Sequence, residues 1–495
     1  MRIRNLKSIF AHKIWLLAGI WLVSVCIRIP FLNRPLSIHH EWMLAHLLIT
    51  LQIWDEKGIA QSKYALIYTY PQDKTNTHLD FIGGVKDKEG NFYYVSYPPL
   101  AFFVAYAFCK IFFLPLVPLS VQIFNLLWHF VCAYWLYKFI RLLFQSDKWG
   151  LWAFVVYLFL PFNLWYHGNS YFVDIFVQGL WIGYAYFWLK IYHSPEKKQN
   201  YIFLFVLAFC MMYTEWIAVF VGISTLTASV ILFVKERNPI RFVPTAVAGI
   251  AMVMALSLTL YQYANIEDFK TLQQALQNKY EFRSGKKELR EPNTTLYWFM
   301  FLYHYIKAYS PIIVCILTGG LYIIFKKRKT INTAINPLSV CILILFGLPV
   351  ILHHTVLFGF TYFHEFSVLK SSFILIILSV WLFRKLNTSQ WITISIIILQ
   401  ISMYYGAFYR YTDAYKTIGE AIKKERKPDE LVVLAITEDF WAVPQIMYYA
   451  QSNFYYEEKQ LQDLPKFLDK HNIKKHVIFY IEKDKILSIK HVVHE

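Results

Sequence analysis

The chain has 495 residues, of which 57% are hydrophobic, 19% aromatic and 16% charged, with a formal net charge of +17. Soluble domains carry about 25% charged residues. Too little charge is present to coat the three or four soluble domains that about 500 residues would imply. Secreted soluble proteins, nucleic-acid-binding modules and disordered scaffolds are excluded. Long apolar blocks such as Ile14–Ile27, Leu151–Leu160 and Trp391–Ile401 instead predict a mainly α fold, a polytopic α-helical membrane protein.

The positive charge is not spread evenly. It concentrates in short segments between apolar blocks: Met1–Lys13, Lys138–Lys148, Lys190–Gln199, Lys235–Arg241, Lys326–Lys329 and Arg384–Lys385. The remaining hydrophilic stretches, 31–97, 265–296 and 409–495, are close to neutral. Basic loops alternating with neutral ones follow the positive-inside rule and place the N-terminus inside and the C-terminus outside. The six cysteines all lie in apolar segments and form no disulfide or zinc pattern. The first apolar segment runs into Arg28-Ile29-Pro30 without a small-residue cleavage site, so it reads as a retained span.

A helical span takes about 20 apolar residues. In chain order, the spans fall near 13–30, 120–141, 148–164, 172–190, 201–213, 217–234, 242–263, 308–325, 337–353, 366–383 and 390–408, about eleven in all. The stretch 98–118 is apolar enough to span, but counting it would put the later basic loops outside. It reads as a juxtamembrane or re-entrant helix within a first outer loop, 31–119, opened by Pro98-Pro99 and closed by Pro115 and Pro118. Residues 1–408 form the transmembrane module. The tail, 409–495, has strand-like runs at Leu431–Ile436 and His476–Ile481 and helical spacing at Asp413–Lys424 and Leu461–Lys470. It is expected to be a small extracytoplasmic α/β domain, without a Gly-rich loop for nucleotide phosphates.

Ionisable residues near a membrane are costly, and on the outer side they are few: His39, His40 and Glu41, His167 and Asp174, Glu215, His353 and His354, and His364 with Glu365. No acidic residue lies mid-span as an ion pathway would require. Glu41 just outside the first span is either a general base toward an acceptor hydroxyl or the cap of an amphipathic helix over Trp42–Ile53. Asp174, at the start of a span, either binds an acceptor or orients the base, or again caps a helix. His364-Glu365 and His353-His354 are phosphate or metal ligands or an interfacial polar cluster between two spans; no metal-type spacing is present. Arg283, Lys286, Lys287 and Arg290 form a basic outer run suited to a lipid phosphate or to solvent. Of the many aromatics, the outer-loop residues Trp42, Tyr93, Tyr94 and Tyr97 are candidates for sugar contacts.

These residues resemble the GT-C superfamily of membrane glycosyltransferases that use polyprenyl-phosphate sugars, most closely its protein O-mannosyltransferase and aminoarabinose-transferase branch. The resemblance rests on His39-His40-Glu41-Trp42 after the first span, Tyr97-Pro98-Pro99-Leu100 closing the first outer loop, Asp174 after the next outer loop, and an outward tail domain. Two positions depart from the family pattern. His40 stands where the family has its catalytic Asp, leaving Glu41 as the only acid of that motif. Tyr97 stands where aminoarabinose-type members carry a Lys before Pro-Pro-Leu, so the lipid phosphate needs another cation, from the 283–290 run or Lys370. The resemblance implies a glycosyltransferase of the inner membrane, acting at the extracytoplasmic face on a protein, lipid or glycan acceptor. Catalysis is expected from Glu41, Asp174 and His40. Substrate binding is expected from His39, Trp42, Tyr97, His167, Arg283, Arg290, His364, Glu365 and Lys370. No cofactor is indicated, although a divalent metal is compatible. A transporter or flippase of lipid-linked glycans, or a non-catalytic glycan-assembly protein, is the alternative.

Overall fold

In lipid every backbone N–H and C=O must be satisfied inside its own segment, and the apolar blocks accordingly wind into helices. The computed structural model describes all residues except 1, 71–83, 287–293, 327–335, 387–389, 437–442, 459, 483–484 and 494–495. The first half contains α1 (Arg2–Arg28), α2 (Trp42–Lys57), β1 (Leu66–Ile67), β2 (Gly84–Lys86), β3 (Phe92–Tyr94), α3 (Leu100–Ile111), α4 (Pro118–Phe144), α5 (Asp147–Phe159), α6 (Pro161–Asn169), α7 (Val173–His193), α8 (Lys198–Met212), α9 (Ile217–Glu236), α10 (Val243–Ala264) and α11 (Phe269–Ser284). The second half contains α12 (Thr294–Lys326), α13 (Pro337–Val356), α14 (Phe358–Phe363), α15 (Ser372–Leu386), α16 (Gln390–Phe408), α17 (Ala414–Glu425), β4 (Leu431–Ile436), α18 (Val443–Ala450), β5 (Tyr455–Glu458), α19 (Leu464–Lys470), β6 (Lys475–Glu482) and β7 (Lys485–Val493).

Every stretch expected to span carries a helix. Among the described residues, eight helices are long and apolar enough to cross a membrane, or up to nine if the bent pair α5–α6 is one span. Of the rest, α7 carries Asp174, Gln178 and Lys190 along its 21 residues, and α8 has only 15 residues. The α5–α6 bend of 63° has a local cause. Pro161 opens α6, and Leu160 before it is extended, with φ −55° and ψ 131°, because a residue preceding proline is pushed out of helical conformation. The stretch 98–118 is short and helical over Leu100–Ile111, as a juxtamembrane helix requires.

The chain forms two compact units. The first comprises 1–32, 122–259 and 280–409. Here α7 packs on α8, α9 on α13, and α12 on α15. Trp181 lies between Phe346 and Phe373 at 5.5 and 5.8 Å. Polar pins join helices at depth: the Trp152 indole donates to Thr393 Oγ1 at 3.0 Å, and Tyr184 shares a 2.9 Å hydrogen bond with Thr225. Large apolar side chains are left exposed along α1, α10, α12 and α16, where lipid is the matching solvent. Between α14 and α15 the chain winds as a seven-residue 3₁₀ stretch, Glu365–Ser371, all of it buried; such runs rarely exceed three or four residues.

The second unit comprises 33–121, 260–279 and 410–495. It contains α2, α3 and a small antiparallel sheet in the order β1-β3-β2. It also holds the α/β domain expected of the tail. That sheet has the order β5-β4-β6-β7, with β4 parallel to β5 and β6, and β7 antiparallel to β6. Strand β4 is buried at every position. One face packs Leu431, Val433 and Ala435 with Ile478 and with Leu464 and Leu468 of α19. Helix α18 packs on α17 and on α2.

Candidate functional site

Glu41 follows a loop that turns through left-handed backbone at Asn33, His39 and His40, with φ of 54°, 57° and 64°. Each such non-glycine residue costs on the order of 1–3 kcal/mol and persists only when its surroundings dictate it. Glu41 occupies the N-cap position of α2, yet its side chain makes no capping bond. It turns back instead. The Ser37 amide donates to Oε2 at 2.6 Å, and the Arg34 guanidinium pairs with Oε1. The carboxylate is therefore not spent on the helix end, which removes the capping alternative. Glu41 is 3% exposed. Burial raises its pKa to about 7 against the opposing pull of Arg34 and the Ser37 amide. A carboxyl that titrates near neutrality is suited to accept a proton from a hydroxyl.

The neighbouring motif residues surround this carboxylate's helix. The Trp42 indole donates to His40 Nδ1 at 3.2 Å, and His39, His40 and Trp42 are half-buried. Tyr97 is buried, lies 6.1 Å from the Tyr94 ring, and accepts a hydrogen bond at its carbonyl from Tyr263. All of these belong to the second unit.

In the first unit the structure brings Asp174 to Lys370, although 196 residues separate them. Asp174 is in the first turn of α7, but Oδ1 meets Lys370 rather than a backbone amide. Oδ2 has no hydrogen-bond partner among the described residues. Glu215, in the α8–α9 turn, lies with Oε1 3.8 Å from the same ammonium and accepts the Ile217 amide at Oε2 at 2.8 Å. Burial raises the Glu215 carboxyl above its ordinary value. Lys370 is thus shared by two carboxylates that are 1% and 3% exposed. His353 at the end of α13 adjoins this centre; it is 1% exposed, and neither ring nitrogen has a hydrogen-bond partner among the described residues. Phe360 stands between two cations, with Lys370 Nζ at 5.6 Å and the Arg283 guanidinium at 5.2 Å from its centroid.

Other expected residues are placed separately. Glu365 pairs with Lys307 at 2.6 Å and accepts the Tyr166 hydroxyl at 2.9 Å. His364 stacks on Phe366 at 5.0 Å. His354 bonds Tyr305 and Thr361, each at 3.0 Å. His167 stacks on His129 at 4.4 Å and bonds the Tyr157 hydroxyl at 3.2 Å. Arg290 and Lys287 lie outside the described residues. Among the described residues no group of three His, Cys, Asp or Glu side chains gathers in a metal-binding arrangement.

No protein-family model and no curated protein matches the sequence. Solved structures do. The archaeal oligosaccharyltransferase AglB from Archaeoglobus fulgidus, in complex with an inhibitory peptide and a dolichol-phosphate, aligns with a TM-score of 0.57 at 10% identity over 94% of this chain and 69% of that one. An Archaeoglobus fulgidus oligosaccharyltransferase tethered with an acceptor peptide aligns with a TM-score of 0.58 at 11% identity, with the same shares. ArnT from Cupriavidus metallidurans bound to undecaprenyl phosphate aligns with a TM-score of 0.57 at 10% identity over 96% of this chain and 93% of that one. The chain has the fold of these membrane transferases. It is a multi-pass membrane protein, and the fold expected from the sequence agrees with these structures.

Three charged residues of this fold escaped sequence reasoning. Arg34 lies only seven residues before Glu41, but its pairing depends on the left-handed turns between them. Lys307 falls just before the stretch expected to start a span, where its charge looks interfacial. Arg28 ends α1 fully buried, donating to Ser24, to His129 Nδ1 at 3.1 Å and to the His167 carbonyl at 3.3 Å. Its signal was a cation at the end of an apolar run with no basic neighbours.

Proposed function

We propose that this chain is an integral membrane glycosyltransferase that moves a sugar from a polyprenyl-phosphate donor to an acceptor hydroxyl at the extracytoplasmic face of the inner membrane. The observation that carries the reading is Glu41, a buried carboxylate that faces its own loop instead of capping α2 and titrates near neutrality. It removes the proton from the acceptor O–H. The oxygen attacks the anomeric carbon, and the bond from that carbon to the phosphate oxygen breaks with its electron pair, releasing polyprenyl phosphate. The growing charge on that phosphate calls for a fixed cation. The resemblance offers Lys370 or the 283–290 run for that role. His40 and Trp42 hold the entry of α2, and Tyr97 the entry of α3.

AglB with its dolichol-phosphate and ArnT with its undecaprenyl phosphate support the donor class. The test begins with mass spectrometry of lipid co-purifying with the full-length protein, followed by transfer of that sugar. Glu41→Gln, nearly isosteric, is expected to lose at least about 100-fold in rate, the scale of general-base catalysis, while purifying as a folded protein. Full activity in that variant refutes Glu41 as base. Movement of labelled lipid between leaflets without any sugar transfer refutes the enzyme reading.

A further inference from the structure

The C-terminal α/β domain has no part in the chemistry proposed above, yet it forms the far wall of the loop that holds Glu41. Ser37 is the node of this wall. Its amide donates to Glu41 Oε2 at 2.6 Å, its carbonyl accepts from Gln445 Nε2 at 2.9 Å, and its hydroxyl oxygen accepts from the Thr412 amide at 2.7 Å. One residue earlier, the Leu36 amide donates to the Tyr449 hydroxyl at 2.8 Å. Gln445 and Tyr449 are four apart on α18, so they share one helix face, and α18 packs against α2. On the other side of the carboxylate, the Arg34 guanidinium lies 5.4 Å from the Tyr411 ring centroid. All these residues belong to one unit.

The loop has no regular secondary structure, and its backbone is left-handed at three non-glycine positions. A segment of this kind is ordered by what surrounds it. Gln445 is 3% exposed and Ser37 is fully buried, so the bond between them has no water to replace it.

We propose that the C-terminal domain positions the base: Gln445 and Tyr449 fix Ser37 and Leu36, and through them the direction in which Glu41 presents its oxygens to the acceptor. The inference rests on Glu41 as the base. Gln445 and Tyr449 are positioning residues, not catalytic ones. Their loss lowers turnover without weakening donor binding and leaves Glu41 more accessible.

The test uses the full-length protein in nanodiscs with Gln445→Leu, Tyr449→Phe and the double variant. Leu468→Ala is the control, because it weakens the core of the same domain on the face of the sheet built from Ile478 and α19. Two readouts are taken: labelling of Glu41 by a water-soluble carbodiimide and an amine, mapped by peptide mass spectrometry, and the kcat and KM of transfer with the co-purified donor. In the double variant, labelling is expected to rise at least about fivefold, the equivalent of one lost hydrogen bond. Its kcat is expected to fall about 10- to 100-fold at unchanged KM, the scale of a misplaced reacting group. Leu468→Ala is expected to leave both readouts unchanged while folded. Unchanged labelling in the double variant, or an equal rise in Leu468→Ala, overturns the proposal. If the double variant does not fold, Tyr449→Phe, which removes one oxygen, decides by the same labelling. If no protein transfers sugar, wild type included, the glycosyltransferase reading fails, and the labelling still reports whether α18 holds Glu41.

Discussion

Lys370→Met is the perturbation with the largest expected effect on stability. The side chains of Lys370, Asp174 and Glu215 are 1%, 1% and 3% exposed. Replacing the ammonium by a thioether of similar length leaves two carboxylates buried with no cation between them. Removing one partner of a buried ion pair costs about 3–5 kcal/mol, because the remaining charge loses its compensation. The same rule predicts partial rescue. In Asp174→Asn with Lys370→Met one of the two stranded charges is gone, and the double variant is expected to be about 1–3 kcal/mol more stable than the sum of the single variants, the range of coupling for groups in contact. Rescue stays incomplete because Glu215 remains 3.8 Å from the lost ammonium position. The assay is reversible unfolding in mixed detergent followed by tryptophan fluorescence, with all four members of the cycle measured together. A Lys370→Met protein within about 0.5 kcal/mol of wild type, the range of an ordinary surface change, refutes the reasoning; so does strict additivity.

Glu41 links pH to both activity and stability. As the proposed base it must be unprotonated, so transfer is expected to rise with pH through about 7. Stability moves the other way. The folded carboxyl keeps its proton up to about 7 and the unfolded one only up to 4.5, so stability falls as pH rises between those values, by roughly 3 kcal/mol at about 1.4 kcal/mol per unit. Glu41→Gln should remove that slope in unfolding measured across pH 4 to 8. Gly179→Ala is expected to destabilise by about 1–3 kcal/mol, because a Cβ there would lie 2.6 Å from Trp128 Cζ2 and 3.1 Å from Cys132 Sγ. Gly320→Ala, with nothing within 4 Å, is expected to be neutral or stabilising in the same unfolding assay. Tyr166→Phe should cost about 1 kcal/mol, the value of one hydrogen bond, by removing the donor to Glu365.

The helices were legible because lipid imposes a single rule on the backbone, and long apolar blocks announce it. Their bends were less so: 148–164 reads as one span, yet Pro161 breaks it, since a proline that opens a new helix looks the same in sequence as one that kinks a continuing helix. In the tail, β4 and β6 were visible as apolar runs, whereas β7 was hidden by Lys485, Lys490 and the exposure of most of its positions. Glu41 and Asp174 stood out as rare acids near the membrane. What held them did not. The Arg34 pairing depends on backbone conformations at His39 and His40 that these residue types only sometimes adopt, and the Lys370 pairing joins segments 196 residues apart. Sequence chemistry identifies costly groups; only the folded chain shows which of them neutralise one another.

The tight winding of Glu365–Ser371 sets an angular relation between two opposite charges. Five residues separate Glu365 from Lys370. At about 120° per residue a 3₁₀ path turns them about 240° apart and raises them about 10 Å, whereas an α-helical path would give about 140° and 7.5 Å. Relaxing the segment to the commoner helix would therefore swing one charge about 100° around the axis relative to the other. With Glu365 still on Lys307, Lys370 would no longer point at Asp174. The overwound turn acts as a mechanical key, in which one change of pitch would unlock a cation from its two carboxylates.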